Sequence, residues 1–416
     1  MPKINRNKNN RESQRFSVKR AIFLIFFSVI TVFSVLYVYG KHQEERSLLV
    51  FLEGKELMEK GFSKEAKEKF MISLELNPRL TNAMVQLGNI AAASEKFRIA
   101  QPYYEKALIE DSTNFDAIIG LAVSLDGIGD FIEAEIAYKK AIFSRPNFSE
   151  IYYNLGFLYQ RQRLYQEAAD QYEKALQLKP KFLQAQANLG LCWDRLHDPG
   201  KAIAVYRRAI ALNRKEGPLY TRLGSSLMKI SKYDPAELAY KKAIELGESH
   251  SSIFRHLGEI AEEKGNTQES IKWYEKALSL GKESSEIYEK LAGVLLKSGQ
   301  DNSAEKYFKK SIELDPQNSN ARYGLAQVYI GKGKVLEAER ELSIFERQKE
   351  FEGRKKTLLR AVEREPRNPE PAFSLAEFYL EFNRRYEALE ILERIVSLSP
   401  EFSKATVLLQ QLLETN

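Results

Sequence analysis

One spacing constrains this chain more than any other feature. From residue 47 onward its small, aromatic and apolar residues recur every 34 residues. Self-similarity at a period of that size marks a stack of supersecondary units rather than one globular core. In-phase units start at residues 47, 81, 115, 149, 183, 217, 251, 285 and 319. Counting places from the first residue of each unit, place 8 is Gly or Ala in all nine, from Gly54 to Ala326. Place 20 is Ala except at Ser270, and place 24 is Tyr or Phe except at Leu342. With 416 residues the chain also exceeds the size at which a single hydrophobic core stops growing.

The pattern has a physical cause. Places 4, 7 and 11 are three and four residues apart and fall on one face of a helix. Small residues at places 8 and 20 let two helix axes approach to about 8–10 Å. The aromatic at place 24 is expected to fill the gap between neighbouring units. Proline at place 32, as Pro78, Pro146, Pro180 and Pro316, cannot continue a helix and turns the chain into the next unit. Where Ser112, Arg214, Glu248, Lys282 and Glu350 stand instead, looser turns are expected.

The clearest unit, 149–182, carries Tyr152, Leu155, Gly156, Tyr159, Ala168, Tyr172, Ala175 and Pro180 at places 4, 7, 8, 11, 20, 24, 27 and 32. This pattern resembles the tetratricopeptide repeat (TPR), and the resemblance spans nearly nine-tenths of the chain. It implies an all-α fold: an α-solenoid, a right-handed superhelix of helical hairpins, here preceded by one transmembrane helix. Residues 47–352 would hold nine in-phase units, 353–368 a break in register and 369–402 a tenth unit. No proline ends the second helix of the ninth unit, so a long charged helix is expected from about 335 to 365. Residues 403–416 read as a capping helix, with Ser403 a candidate N-cap and Leu408, Leu409, Leu412 and Leu413 covering the last open face.

The N-terminus differs from the rest. Residues 21–39 contain no charge and, as a helix, would be about 28 Å long, close to the thickness of a bilayer's hydrocarbon core. Residues 1–20 hold seven Lys or Arg against one acid, Glu12, which accounts for the whole net charge of +6. The remainder balances, so nucleic acid is not an expected partner. A basic tail at 1–20 followed by a signal anchor at 21–40 places the N-terminus in the cytoplasm and the repeats on the outer, periplasmic or extracytoplasmic, side. A cleaved signal peptide is the rival reading, but the apolar run is longer than usual and lacks an A-x-A site.

No catalytic constellation appears. His42, His197, His250 and His256 fall in no metal-ligand spacing, and there is no P-loop, GxGxxG after a strand, or GxSxG elbow. The lone Cys192 reads as a small apolar core residue. A non-enzymatic protein without cofactor or metal is expected. Its functional surface would be a concave groove lined by the first helix of each unit. Place 6 reads Asn154, Asn188, Arg222, His256 and Lys290 in successive units, and place 13 adds Arg161, Arg195 and Lys229. These form a candidate polar and basic stripe, broken by Glu259, Glu262 and Glu263. Asparagine at place 6 resembles the amide ladder with which some TPR proteins grip an extended peptide. The full carboxylate clamp of chaperone-binding TPR families is absent from this sequence.

The expected function is therefore a membrane-anchored scaffold that holds partner proteins, as an extended peptide or a helix, for assembly of an envelope complex. The alternative is a component of a polysaccharide export or assembly system, which would need exposed groove aromatics such as Tyr153 or Tyr323. The TPR resemblance leaves self-association as a homo-oligomer open.

Overall fold

The structure is a computed structural model that describes residues 31, 34, 36–281 and 284–414. Among the described residues all regular structure is helical, with no strand. The basic tail and most of the apolar segment lie outside the described residues. Among those described, no helix is long and apolar enough to cross a membrane. A helix runs unbroken over 36–59 and becomes the first helix of repeat one. The chain divides into two compact bodies, Met1–Ile230, which includes this helix, and Ser231–Asn416. Their boundary falls between the two helices of repeat six, Gly217–Lys229 and Tyr233–Glu245.

Within each body the chain folds into antiparallel hairpins of an A helix and a B helix. In repeat four these are Ser149–Arg161 and Tyr165–Leu178, and in repeat five Leu183–Arg195 and Pro199–Leu212. The antiparallel sense is fixed by contacts such as Ser47 at the start of an A helix, whose Oγ donates to the carbonyl of Ser73 near the end of its B helix at 2.8 Å.

The place-24 ring lies between successive hairpins. Phe70, Tyr104, Tyr138, Tyr172, Tyr206 and Tyr274 are almost wholly buried. A Cβ on Gly88, at place 8 of repeat two, would meet the Tyr104 ring at 2.7 Å, and one on Gly120, at place 6 of repeat three, would meet the same ring at 2.3 Å. The ring thus packs on its own A helix and on the next one. Either glycine, given a side chain, would force the two helices apart.

The turn within each hairpin obeys a rule the sequence conceals. Place 15 has positive φ in all ten repeats, from 55° at Ser231 to 99° at Gly129. It is the left-handed residue of a Schellman ending: in repeat three Asp130 N–H donates to the Leu125 carbonyl and Gly129 N–H to the Asp126 carbonyl, each at 3.0 Å. Glycine occupies half of these sites, while Glu95, Arg163, His197, Ser231 and Asn383 hold the same conformation with a Cβ.

The turns between hairpins correct one expectation. Those at Ser112 and Arg214 lack proline but are not loose. Asp111 Oδ1 accepts from Thr113 N–H at 3.0 Å, and Asn213 Oδ1 accepts from Lys215 N–H at 3.0 Å, the same Asx turn that Asn77 and Asp315 make beside Pro78 and Pro316. At Glu248 the chain instead turns on Gly247, with φ 95°, after a B helix shortened to 13 residues.

In the second body the B helix of repeat nine continues as a 30-residue helix, Val335–Arg364. Its second half packs on the following A helix, Pro369–Glu381, through Phe351 against Phe378 at 5.1 Å. The final helix, Ser403–Glu414, begins at Ser403 rather than being capped by it. Leu408, Leu409 and Leu412 pack on the core below, but Leu413 is 56% exposed.

Because the place-15 site demands left-handed backbone, Arg163→Gly is expected to stabilise the protein by about 0.5–1 kcal/mol, whereas glycine in a helix interior would destabilise it. Thermal or denaturant unfolding checks this; a lower midpoint would show that the turn is not strained.

Candidate functional site

Two groups of A-helix residues carried the sequence-based expectation of a partner site, and the structure gives both a second task. Place 6 lies over the place-24 tyrosine of the preceding repeat. Asn188 Nδ2 is 3.4 Å from the hydroxyls of both Tyr172 and Tyr153. Burial raises the Tyr206 hydroxyl, and nearby Arg222 counters that rise. His256 stacks on Tyr240 with ring centroids 5.4 Å apart and planes 14° apart. Asn154 and Lys290 are half-buried at the equivalent place. This face also takes part in packing, because the next hairpin's A helix closes over each ring.

Place 13 is tied across the stack. The Arg161 guanidinium pairs with the Asp126 carboxylate. Lys229 Nζ is 2.9 Å from Asp194 Oδ1, and Lys297 Nζ is 2.6 Å from Glu262 Oε1. Each acid stands at place 12 of the preceding repeat, 35 residues earlier. The same carboxylates receive the buried tyrosines: Tyr206 Oη donates to Asp194 Oδ2 at 3.0 Å and Tyr274 Oη to Glu262 Oε2 at 3.3 Å. Ser226 Oγ adds a further bond to Asp194 at 2.9 Å. A repeated unit emerges of ring hydroxyl, carboxylate and next-repeat cation. Arg195 has no acid opposite it, since Gln160 holds place 12 of repeat four, and it is exposed.

The electrostatics follow from burial. Burial pushes the Asp126 carboxyl above its ordinary range, and the Arg161 guanidinium opposes that rise. Tyr104, which donates to Asn89 Oδ1 at 2.7 Å, is pushed up to about 12 by burial. Cys192, fully buried, is likewise pushed up to about 12, leaving an unreactive thiol.

The A-helix faces of the two bodies differ. In the first, Phe97, Val123, Tyr138, Asn154, Phe157 and Arg161 line a cleft of about 420 Å³. Phe157, at place 9, is 41% exposed there. Sequence reasoning passed over it because one aromatic at one place carries no periodic signal. This cleft unites two of the predicted residues, Asn154 and Arg161. In the second body the face is acidic. Arg255 Nη1 lies 2.6 Å from Glu259 Oε1 and 3.2 Å from Glu286 Oε1, and His256 Nδ1 lies 2.9 Å from Glu259 Oε2. Burial raises the neighbouring Glu289 carboxyl, while Lys290 pulls it back. The basic stripe therefore does not continue through His256 and Lys290. Of the rings proposed for sugar stacking, Tyr153 is half-buried 4.8 Å from Phe182, while Tyr323 lies 5.2 Å from Phe345 and keeps 46% exposure.

Tetratricopeptide-repeat family models match residues 149–182, and 85–148 and 221–285. The chain is a tetratricopeptide-repeat protein. A model for anaphase-promoting complex, cyclosome, subunit 3 matches residues 263–343 of this TPR protein. Among solved structures, the PilF protein of Pseudomonas aeruginosa is 23% identical with a TM-score of 0.42, over 48% of this chain and 91% of that one. A TPR protein from Parabacteroides merdae is 18% identical with a TM-score of 0.43, over 60% and 98%. YrrB, described as a TPR protein with an unusual peptide-binding site, is 24% identical with a TM-score of 0.40, over 43% and 92%. No curated protein matches the chain.

If the ion pairs join repeats, a double-mutant cycle on Asp194→Ala and Lys229→Ala should give a coupling of about 0.3–1 kcal/mol, limited by the solvent-exposed lysine end. Purely additive effects in urea unfolding would show that the pair does not tie the repeats together.

Proposed function

We propose that this TPR protein is a membrane-anchored, non-enzymatic scaffold whose A-helix groove holds an extended segment or helix of a partner protein, for assembly of an envelope complex. The observation that carries the reading is the cleft of the first body. Its ring Phe157 is 41% exposed on a face where most neighbours are already bonded to one another. A half-exposed aromatic beside an amide and a guanidinium suits an apolar side chain anchored next to a peptide backbone. Asn154 offers donor and acceptor to that backbone, and Arg161 adds guanidinium donors that Asp126 only partly consumes.

The anchor reading rests on the uncharged run at 21–39 and the basic tail before it. It is supported by the unbroken helix over 36–59, which would leave no flexible linker between bilayer and repeats. The same charge asymmetry would keep the N-terminus cytoplasmic and carry the repeats across the membrane. Self-association is compatible with the proposal but is not required by it.

A photo-crosslinking side chain in place of Phe157 tests the groove. Specific protein adducts should form, and Asn154→Ala with Arg161→Glu should abolish them. Adducts with glycans instead, or protein adducts unchanged by the double substitution, would contradict it. Protease treatment of intact and permeabilised cells, applied to the same strain, reads the side of the membrane on which the repeats lie.

A further inference from the structure

One edge of the first body carries an unbroken row of exposed cations beside bare apolar side chains. In each hairpin the start of the A helix lies beside the end of the B helix, as the Ser47–Ser73 contact shows in repeat one. Lys179 against Glu150, at 2.7 Å, shows the same in repeat four. The ends of the B helices therefore lie on the side from which the helix over 36–59 enters repeat one. From residue 36 to Ser47 that helix rises about 16 Å above this edge.

At this edge two large apolar side chains stand almost fully in solvent: Ile109 at 80% and Phe143 at 91% exposure, at place 29 of repeats two and three. One turn earlier, at place 26, stand Lys106, Lys140, Lys174 and Arg208 in four successive repeats, all exposed. Among the described residues none of the four has a carboxylate partner. Acids at the same edge include Glu110, which faces Arg79 at 3.7 Å, Asp111, which is bonded within its own turn, and the exposed Asp116 and Glu75, the latter at place 29 of repeat one. The equivalent places in the second body read differently. Glu245 and Glu313 stand where Ile109 and Phe143 stand, and they pair with Lys242 at 2.7 Å and Lys310 at 3.4 Å. Repeats two to five thus keep an unbroken row of exposed cations without ion-pair partners beside two bare apolar side chains, whereas in the second body repeats six and eight neutralise theirs, and Lys276 and the pair Arg394 with the exposed Leu398 stand as isolated cases.

We infer that this edge of the first body rests on an anionic bilayer surface, the basic row on lipid headgroups and Ile109 and Phe143 at the acyl boundary. Exposed lysines flanking exposed large apolar residues are the composition that partitions to charged membrane interfaces. The inference deepens the anchor reading and rests on it, because the entering helix is what brings the edge to the membrane. It would hold the groove at a set height and tilt rather than leave it to swing.

The test uses the full chain in lipid nanodiscs, with Ser144→Cys or Lys96→Cys carrying a fluorophore and lipids carrying a nitroxide quencher. The native Cys192 is buried and should not label. Ser144 adjoins Phe143, whereas Lys96 lies at the opposite edge. The label at 144 should be quenched several-fold more than that at 96 in discs containing phosphatidylglycerol. The difference should be lost in phosphatidylcholine discs, and lost again with Lys140→Glu, Lys174→Glu and Arg208→Glu together. Incorporation with equal quenching at both positions would overturn the docking edge and leave the anchor standing. A chain that does not enter the discs would overturn both. Capture of a short oligonucleotide by this edge, without lipid-dependent quenching, would assign the cations to nucleic acid instead.

Discussion

The structure depends on an aromatic ring lying across two helix axes at once. Tyr104 touches Gly88 of its own hairpin and Gly120 of the next at distances that leave no room for a Cβ. The ring does what a core does in a globular protein, but it is shared only between neighbours, so stability in such a stack is a sum of local and nearest-neighbour terms. The same geometry recurs at Gly190 beneath Tyr206 and at Gly258 beneath Tyr274. Small residues at these crossings are therefore requirements of packing rather than tolerances.

Burying a tyrosine ring strands its hydroxyl unless a partner meets it at the groove floor. In repeats five and seven that partner is a carboxylate, and burying a carboxylate in turn calls for a cation. Asp194 with Lys229 and Glu262 with Lys297 are the outcome. Repeat four meets the same need with Gln160, which accepts from Tyr172 at 3.0 Å and calls for no charge opposite. Much of the A-helix polarity thus belongs to the stack. What remains for a partner is what the stack does not consume: Phe157, Asn154, the exposed Arg195, and the acidic face of the second body.

Much of this was legible in the sequence because periodicity reports packing. The places of the small residues and the rings follow from the 34-residue spacing alone. The left-handed turn residue was not legible, since Glu95, Arg163 and His197 share no chemistry with the glycines that take the same conformation. The Asx turns at Asp111 and Asn213 escape a reading by proline, although Asn77 and Asp315 make the same turn just before Pro78 and Pro316. The stripe of Asn154, Asn188, Arg222, His256, Lys290, Arg161, Arg195 and Lys229 was read one helix at a time. Asp126 and Asp194, the partners of Arg161 and Lys229, lie 35 residues earlier, as Glu262 does before Lys297, a spacing of opposite charges that the sequence does contain. Pairing place 12 with the following place 13 would have found them.

The central claim is that each ring couples two hairpins. Hydrogen exchange on Tyr104→Ala, resolved by peptide, tests it most directly. Protection should fall together in the helices of repeats two and three, Thr81–Ala93, Phe97–Glu110 and Phe115–Ile128, while the second body keeps its own. Loss confined to repeat two, with Phe115–Ile128 as protected as before, would contradict the account.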